Sequence, residues 1–254
     1  LLDVNAPSSL ADCRRAGTVV RIPLHELASR AAAEAFQAAA VAVLGGSRCG
    51  YKIGATSAEV QRLLNCHAPI QAPIRREDVL PSGANFRIPA GLLGVECEFG
   101  FVMARDFPAS GETLDMAGLR SAIGECFVGL ELVGRRVTGD VPLNEATAIA
   151  DYALHVAVVR GAPIPNWQRG GLAALPVRAV LDGATLASGT GAMVLGHPLN
   201  ALLWLATVLG GGGERLRGGE IVFTGTCTGI TKVVSGQVFH GRFADLPAVE
   251  VRLI

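Results

Sequence analysis

Net charge is absent from this chain: 22 basic residues balance 22 acidic ones, and charged residues make up only 17% of the 254. No basic footprint for nucleic acid exists, so none is expected as a partner. Uninterrupted apolar runs are short as well. Even Ala31 to Leu44 is broken by Glu34 and Gln37, below the roughly 20 residues a membrane helix needs, and no membrane association is expected. The chain begins Leu1-Leu2-Asp3-Val4-Asn5 without Met or a basic-then-apolar leader, as if numbered within a longer chain or past a trimmed leader. Cysteine pairs are lacking: Cys13, Cys49, Cys66, Cys97, Cys126 and Cys227 lie far apart, with no CxxC and no His at zinc-finger spacing. Scattered thiols suit a reducing cytoplasm. There is no Gly-Lys-Ser/Thr phosphate loop, no Gly-x-Ser-x-Gly elbow and no Gly-x-Gly-x-x-Gly between a strand and a helix.

Half the residues are hydrophobic and 32 are Gly, the composition of a folded chain with many tight turns. Residues 1 to 22 read as an arm with a short helix, Leu10 to Arg15, and an extended piece from Val19 to Ile22. From Ser29, apolar residues at helical spacing continue to a Gly45-Gly46 stop, which predicts a helix. Ser57 to Leu64 predicts a second and Leu114 to Ile123 a third. A fourth opens at His197-Pro198 and carries Leu202, Leu203, Leu205, Ala206 and Leu209. Short β-rich runs fill the rest: 95–103, 127–133, 154–160, 177–181, 185–188, 221–224 and 236–243. Many short strands with few helices point to an α+β chain with a sandwich- or barrel-like β core.

The densest chemistry lies in Val95-Glu96-Cys97-Glu98-Phe99. In a strand Glu96 and Glu98 share one face while Cys97 and Phe99 take the other. Two carboxylates on an apolar strand must be solvated, paired or metal-bound; an exposed polar edge explains the pair alone. Glu131, the one charge in Cys126 to Val133, adds a third carboxylate inside a buried strand. Three oxygen donors without an adjacent His suit a hard ion, Mg²⁺ or Mn²⁺, and disfavour zinc. Lys52, in the apolar Gly50 to Thr56 run, reads as a snorkelling surface lysine or as a cation paired with a substrate carboxylate. His197 reads as a helix-entry residue, Arg105-Asp106 as a local turn pair, and His155 as a strand residue that faces either the core or a pocket.

Five ordered motifs together resemble the 2-keto-4-pentenoate hydratase-like (hydratase/decarboxylase) branch of the fumarylacetoacetate hydrolase superfamily. They are Gly50 to Thr56 (GYKIGAT), Val95 to Pro108 (VECEFGFVMARDFP), Leu130 to Arg136 (LELVGRR), Leu195 to Ala206 (LGHPLNALLWLA) and Leu216 to Gly225 (LRGGEIVFTG). The resemblance implies a mixed β-roll core with peripheral helices and an N-terminal helical part. Residues 1–48 become an arm and helix packed on a catalytic domain of residues 49–254, assembled as a homo-oligomer. It also implies Glu96, Glu98 and Glu131 as ligands of Mg²⁺ or Mn²⁺ and Lys52 as a catalytic-pocket residue. Asp78 is expected, with Lys52, as a catalytic residue, and Lys52, Thr226 and His155 as substrate contacts. The implied chemistry is chelation of a small 2-oxo acid and stabilisation of its enolate, followed by water addition to a 2-hydroxypenta-2,4-dienoate-type substrate. Alternatives are decarboxylation of a 2-oxo-enedioate of the 4-oxalocrotonate type, or a catalytically altered homologue that binds a 2-oxo acid without efficient turnover. A hydrolase of acylpyruvates ranks below these. The sequence departs from the branch at Tyr152 and Leu154, where hydratases carry Asn and Ser, so a polar part of the usual pocket is replaced.

Overall fold

Pro7 at the head and Gly17 in a left-handed cap bracket helix α1 (Ala6–Ala16), which is longer than the six residues expected. The structure, a computed structural model, describes residue 3 and residues 5–254. The Ala-rich run folds as α2 (Arg30–Leu44), where the Ser29 hydroxyl accepts the Ala32 amide and Gly45 ends the helix. The Val19 to Ile22 piece makes only an isolated bridge, Val20 to Val137.

The next elements are β1 (Arg48–Gly54), α3 (Ala58–Leu64), β2 (Ile70–Arg75), β3 (Val79–Pro81), β4 (Ala84–Phe86) and β5 (Leu92–Met103). After them come α4 (Met116–Ala122), β6 (Ile123–Gly134), α5 (Glu145–Ala150) and β7 (His155–Pro163). The chain closes with β8 (Pro176–Leu181), β9 (Ala184–Thr190), α6 (Pro198–Gly211), β10 (Ile221–Thr226), β11 (Val238–Phe243) and β12 (Val249–Leu253). A seven-stranded mixed sheet runs β2-β1-β10-β5-β6-β7-β3, and a five-stranded sheet runs β4-β12-β11-β8-β9. With helices at the periphery, this is the α+β, barrel-like arrangement expected.

Six elements lie outside the runs expected: β1 to β4, α5 and β12. β1 reads in sequence as an apolar run before a helix, yet it pairs parallel with β10 and antiparallel with β2. α5 is six residues, too short for helical periodicity to show, and is fixed by a capping box between Asn144 and Thr147. β12 closes the second sheet against β11 and β4. β6 also starts four residues earlier than expected, directly from the end of α4.

Alternation gives β5 and β6 one face in the core between the two sheets and leaves the other to Glu96, Glu98 and Glu131. Cys97, Phe99, Phe101, Val128, Leu130 and Leu132 point between the sheets, against Phe239 and Phe243 of β11 and Val249 and Val251 of β12; the Phe99 and Phe243 rings meet edge-on at 5.3 Å. On the other side, α1, α2 and α5 close a second core over Ile70 and Ala72 of β2. The absence of membrane-length apolar runs needs one correction, because residues 191–211 have a mean hydropathy of 1.6. Their regular helix, α6, is only 14 residues long, about 21 Å at 1.5 Å per residue, short of the roughly 30 Å hydrocarbon layer. It buries Leu199, Leu202, Leu205 and Leu209 in the inter-sheet core, as a core helix does.

Candidate metal centre and substrate cavity

The antiparallel register of β5 and β6 sets Glu96 directly opposite Glu131, and Glu98 lies two residues along the same face as Glu96. One carboxylate oxygen from each lies within 4.8 Å of the others. Glu98 and Glu131 are fully buried and Glu96 half-buried. Cys97 points the opposite way, its Sγ near the Arg178 carbonyl, so no thiolate joins the cluster.

Glu98 Oε2 accepts the Gly225 amide at 2.9 Å. That approach depends on glycine: Gly225 sits at φ +105°, and a Cβ there would fall 2.2 Å from Thr56 Oγ1. Glu98 Oε1 is buried without a hydrogen-bond partner among the described residues. Glu131 is held from both sides. Lys52 Nζ lies 3.1 Å from its Oε2, and His155 Nδ1 2.9 Å from its Oε1.

Lys52 is itself aimed by the backbone, donating to the Ala153 carbonyl at 2.9 Å. That carbonyl belongs to a turn in which Tyr152, Ala153 and Leu154 all adopt positive φ, between 50° and 64°. Three successive non-glycine residues in the left-handed region store strain beside the site.

Burial pushes the Glu96 carboxyl up to about 8, with Glu131 adding to the shift and Lys52 opposing it. Glu98 is raised well above its ordinary range, again by burial first and then by the two neighbouring glutamates. Burial acts on Glu131 in the same direction, but Lys52 and His155 outweigh it and hold this carboxyl below its usual range. Burial would also strip Lys52 of its proton, yet Glu131, Glu98 and Glu96 together keep it charged. Three carboxylates against one ammonium leave the cluster short of positive charge. With an orphaned buried oxygen on Glu98, this all-oxygen donor set fits a hard divalent cation.

Asp78 lies behind His155, its Oδ2 4.0 Å from His155 Nε2. Arg14 binds it at 2.8 Å and Arg75 at 2.7 and 2.9 Å. Burial raises this carboxyl, but the two guanidiniums prevail and hold it below its ordinary value. It lines a separate cavity with Arg14 and Arg75, not the one that holds Lys52 and Glu96.

The cavity over the carboxylates measures about 760 Å³ and has Lys52, Glu96, Ala153, Leu154 and Thr226 among its lining residues. Thr226 Oγ1 accepts the amides of Thr228 and Gly229, at 3.2 and 2.8 Å. Leu154 occupies the cavity wall. Tyr152 does not, since its hydroxyl reaches the Ala40 carbonyl at 3.4 Å and its ring lies under the Arg14 and Arg136 guanidiniums.

The structure thus brings Lys52, Glu96, Glu98, Glu131 and His155 together, sets Thr226 on the same cavity, and places Asp78 one residue further out. His197 caps α6, its Nδ1 accepting the Leu199 amide. Arg105 and Asp106 are not paired through their side chains. Arg105 grips Glu112, and Asp106 grips Arg217, because the strand end turns them to different loops. Sequence reasoning missed Arg14, which lies in an N-terminal stretch with no motif around it. It also missed the buried Arg136–Asp151 ion pair at 2.8 Å; Asp151, a lone charge in the apolar 146–154 segment, was the available signal.

The fumarylacetoacetate (FAA) hydrolase C-terminal family matches residues 57–253. The chain belongs to this family. It is 32% identical to the TodF product hydratase of Pseudomonas putida, over 96% of this chain and 92% of that protein. With the 2-hydroxyhexa-2,4-dienoate hydratase of Comamonas testosteroni it shares 30% identity, over 75% and 72% of the respective chains. Among solved structures, 4-oxalocrotonate decarboxylase from Pseudomonas putida G7, complexed with magnesium and adipate, superposes with a TM-score of 0.87 at 22% identity, covering 100% of this chain and 99% of that one. These relatives are named hydratases and a decarboxylase, and the chain is an enzyme of that lyase kind.

Proposed function

We propose that this chain is a divalent-metal-dependent hydro-lyase that adds water to a small unsaturated 2-oxo acid of the 2-hydroxypenta-2,4-dienoate type. The reading rests chiefly on one observation: three carboxylates from paired strands converge beside a buried lysine at the floor of a cavity. The hydratase relatives at 30–32% identity support the reaction class. Glu96, Glu98 and Glu131 would hold Mg²⁺ or Mn²⁺; when bound, the ion supplies a Lewis acid for the oxo and carboxylate oxygens of the substrate.

The protein's own residues do the rest. Lys52, kept protonated by the glutamates and aimed by the Ala153 carbonyl, presents a fixed positive charge where negative charge develops on the 2-oxo oxygen. Thr226, whose hydroxyl oxygen is held by the Thr228 and Gly229 amides and keeps its own proton to donate, is the contact for the substrate carboxylate. His155 is kept neutral by burial, and its ring fixes the rotamer of Glu131. Asp78 acts through His155 as a positioning residue, anchored by Arg14 and Arg75. In the net reaction the dienol loses its O–H proton and gains one at C5; hydroxyl then adds at C4 and hydrogen at C3. Decarboxylation of a 2-oxo-enedioate comes second, because the Leu154 wall offers no partner to a second carboxylate. Binding of a 2-oxo acid without efficient turnover follows if that same wall has removed a group needed for water attack.

We further read residues 1–48 as an arm integral to the catalytic part, the assembly as a homo-oligomer, and the location as the cytoplasm, in keeping with six free thiols. The deciding assay follows loss of the 2-hydroxypenta-2,4-dienoate chromophore with Mg²⁺ or Mn²⁺, alongside CO₂ release from 2-oxohex-3-enedioate. Metal-dependent loss of the dienol without CO₂ supports the hydratase, and CO₂ release moves the assignment to the decarboxylase. Calorimetry on Glu98→Ala should show divalent-ion binding abolished; unchanged affinity would remove the metal assignment.

A further inference from the structure

We infer that the substrate carries an apolar substituent on its distal end, larger than the vinyl terminus of a five-carbon dienoate, and no second carboxylate there. The inference rests on the 2-oxo acid reading and extends it to the part of the cavity beyond Lys52 and Glu96. Size is the first argument. A five-carbon acid has eight non-hydrogen atoms; even at the roughly 30 Å³ that each water takes in the liquid, it occupies at most about 240 Å³. The cavity holds about 760 Å³.

Chemistry is the second. Above the carboxylates the inner wall is built from Leu93, Val133, Leu143 and Leu154, with Val60 of α3 beside them. At the mouth stand Leu63, 70% exposed, Met193, 50%, and Ile230, 48%, three of the chain's few exposed large hydrophobic residues. A patch of exposed apolar side chains continuous with a ligand cavity marks a binding surface. The charges lining the cavity beyond the floor are Glu59 and Arg62, both on α3, one of each sign. A distal carboxylate would lose its hydration against leucine and valine, and the cation within the lining, Arg62, is solvent-exposed on α3 with Glu59 of opposite sign on the same helix. An alkyl or aryl group would be desolvated favourably along its whole length.

The test uses the Mn²⁺-loaded protein and two measurements. The first is kcat/KM for 2-hydroxy-2,4-dienoates bearing hydrogen, methyl, propyl or phenyl at C5. The second is calorimetric affinity for saturated 2-oxo acids from pyruvate to 2-oxooctanoate, with 2-oxohexanedioate as the dicarboxylate. Both should improve along the series, by up to about fourfold per buried methylene, and the dicarboxylate should bind more weakly than 2-oxohexanoate. A flat or falling series, or preference for the dicarboxylate, overturns the inference while turnover of any dienoate leaves the hydratase reading standing. Affinity that rises with chain length without turnover of any dienoate supports the inference and sinks the hydratase reading. Leu63→Gln and Met193→Gln should each lower the propyl-to-hydrogen ratio of kcat/KM. If instead they change the oligomer mass and leave that ratio untouched, these residues belong to a contact between copies and the mouth assignment fails.

Discussion

Lys52 carries more of the site's balance than any other residue, because it is the cation that faces Glu131 directly and the first of the two groups, with His155, that keep its carboxyl ionised. In Lys52→Met the carboxylates lose that compensation. Breaking a buried pair by removing one partner costs about 3–5 kcal/mol. For a protein of this size that corresponds to a fall in Tm of roughly 6–20 °C in the metal-free state. Added Mg²⁺ should then stabilise the variant more than the parent, since the ion replaces the missing charge. Turnover should drop by about 10²–10³, the usual loss on removing one preorganised electrostatic group. Calorimetric melts with and without metal, together with the dienol assay, check this; a variant with unaltered metal-free Tm and full turnover would refute the role. The glutamates were legible because strand alternation alone forces Glu96 and Glu98 onto one face. Their partners were less so. Arg14, 64 positions from Asp78 in sequence, meets it only through tertiary packing, and no local pattern records that contact.

The element beside Lys52 is the left-handed turn of Tyr152, Ala153 and Leu154, and its strain gives a second prediction. A buried Ala→Gly change in regular structure ordinarily destabilises by about 0.5–1 kcal/mol. At Ala153, with φ +50°, glycine relieves an unfavourable backbone well worth about 1–2 kcal/mol. Ala153→Gly should therefore be neutral or slightly stabilising in urea unfolding, whereas Ala153→Val should destabilise. A loss of 1 kcal/mol or more on Gly substitution would show that the turn is unstrained. In the loop after β5, Glu112 accepts two Arg105 donors and the Ala109 amide, each at 2.7 Å. Hydrogen bonds from Arg105, then the Ala109 amide, hold its carboxyl down at about 2. Because the folded value is depressed, the contribution to stability is complete above the unfolded pKa of about 4.5 and is lost as pH falls toward 2. The stability gap between the parent and Glu112→Gln should be widest near pH 6 and narrow steadily below about pH 4.5. A gap constant between pH 6 and pH 3.5 would contradict it. Neither element was visible beforehand: a left-handed turn without glycine has no compositional mark, and Glu112 gains its partners only where the chain doubles back.

At the scale of the whole molecule, the site lies at the seam of two cores, and each core owes part of itself to distant sequence. The inter-sheet core was legible as alternating strands. The second core was not, because it is assembled from an N-terminal arm with weak periodicity, α2, the short α5 and the edge of β2. The family match begins only at residue 57, yet Leu10, Ile22, Leu24, Phe36 and Leu44 are buried in that core. Each large apolar side chain withdrawn from water contributes about 1.5–3 kcal/mol. Together they are of the same order as the entire net stability of a typical domain, about 5–15 kcal/mol. The arm also supplies Arg14, and without it the Asp78 carboxylate behind His155 keeps only Arg75 of its two guanidiniums. A chain starting at Arg48 should therefore fail to unfold cooperatively in urea and should expose apolar surface to a hydrophobic dye. It should also bind Mn²⁺ far more weakly than the full chain, although all three glutamates and Lys52 are retained. If the shortened chain melts cooperatively and keeps its Mn²⁺ affinity, the arm is an accessory and the site is supported by the sheet alone. If adding back a separate peptide of residues 1–47 restores both properties, the arm acts by packing and by presenting Arg14, as the two-core arrangement requires.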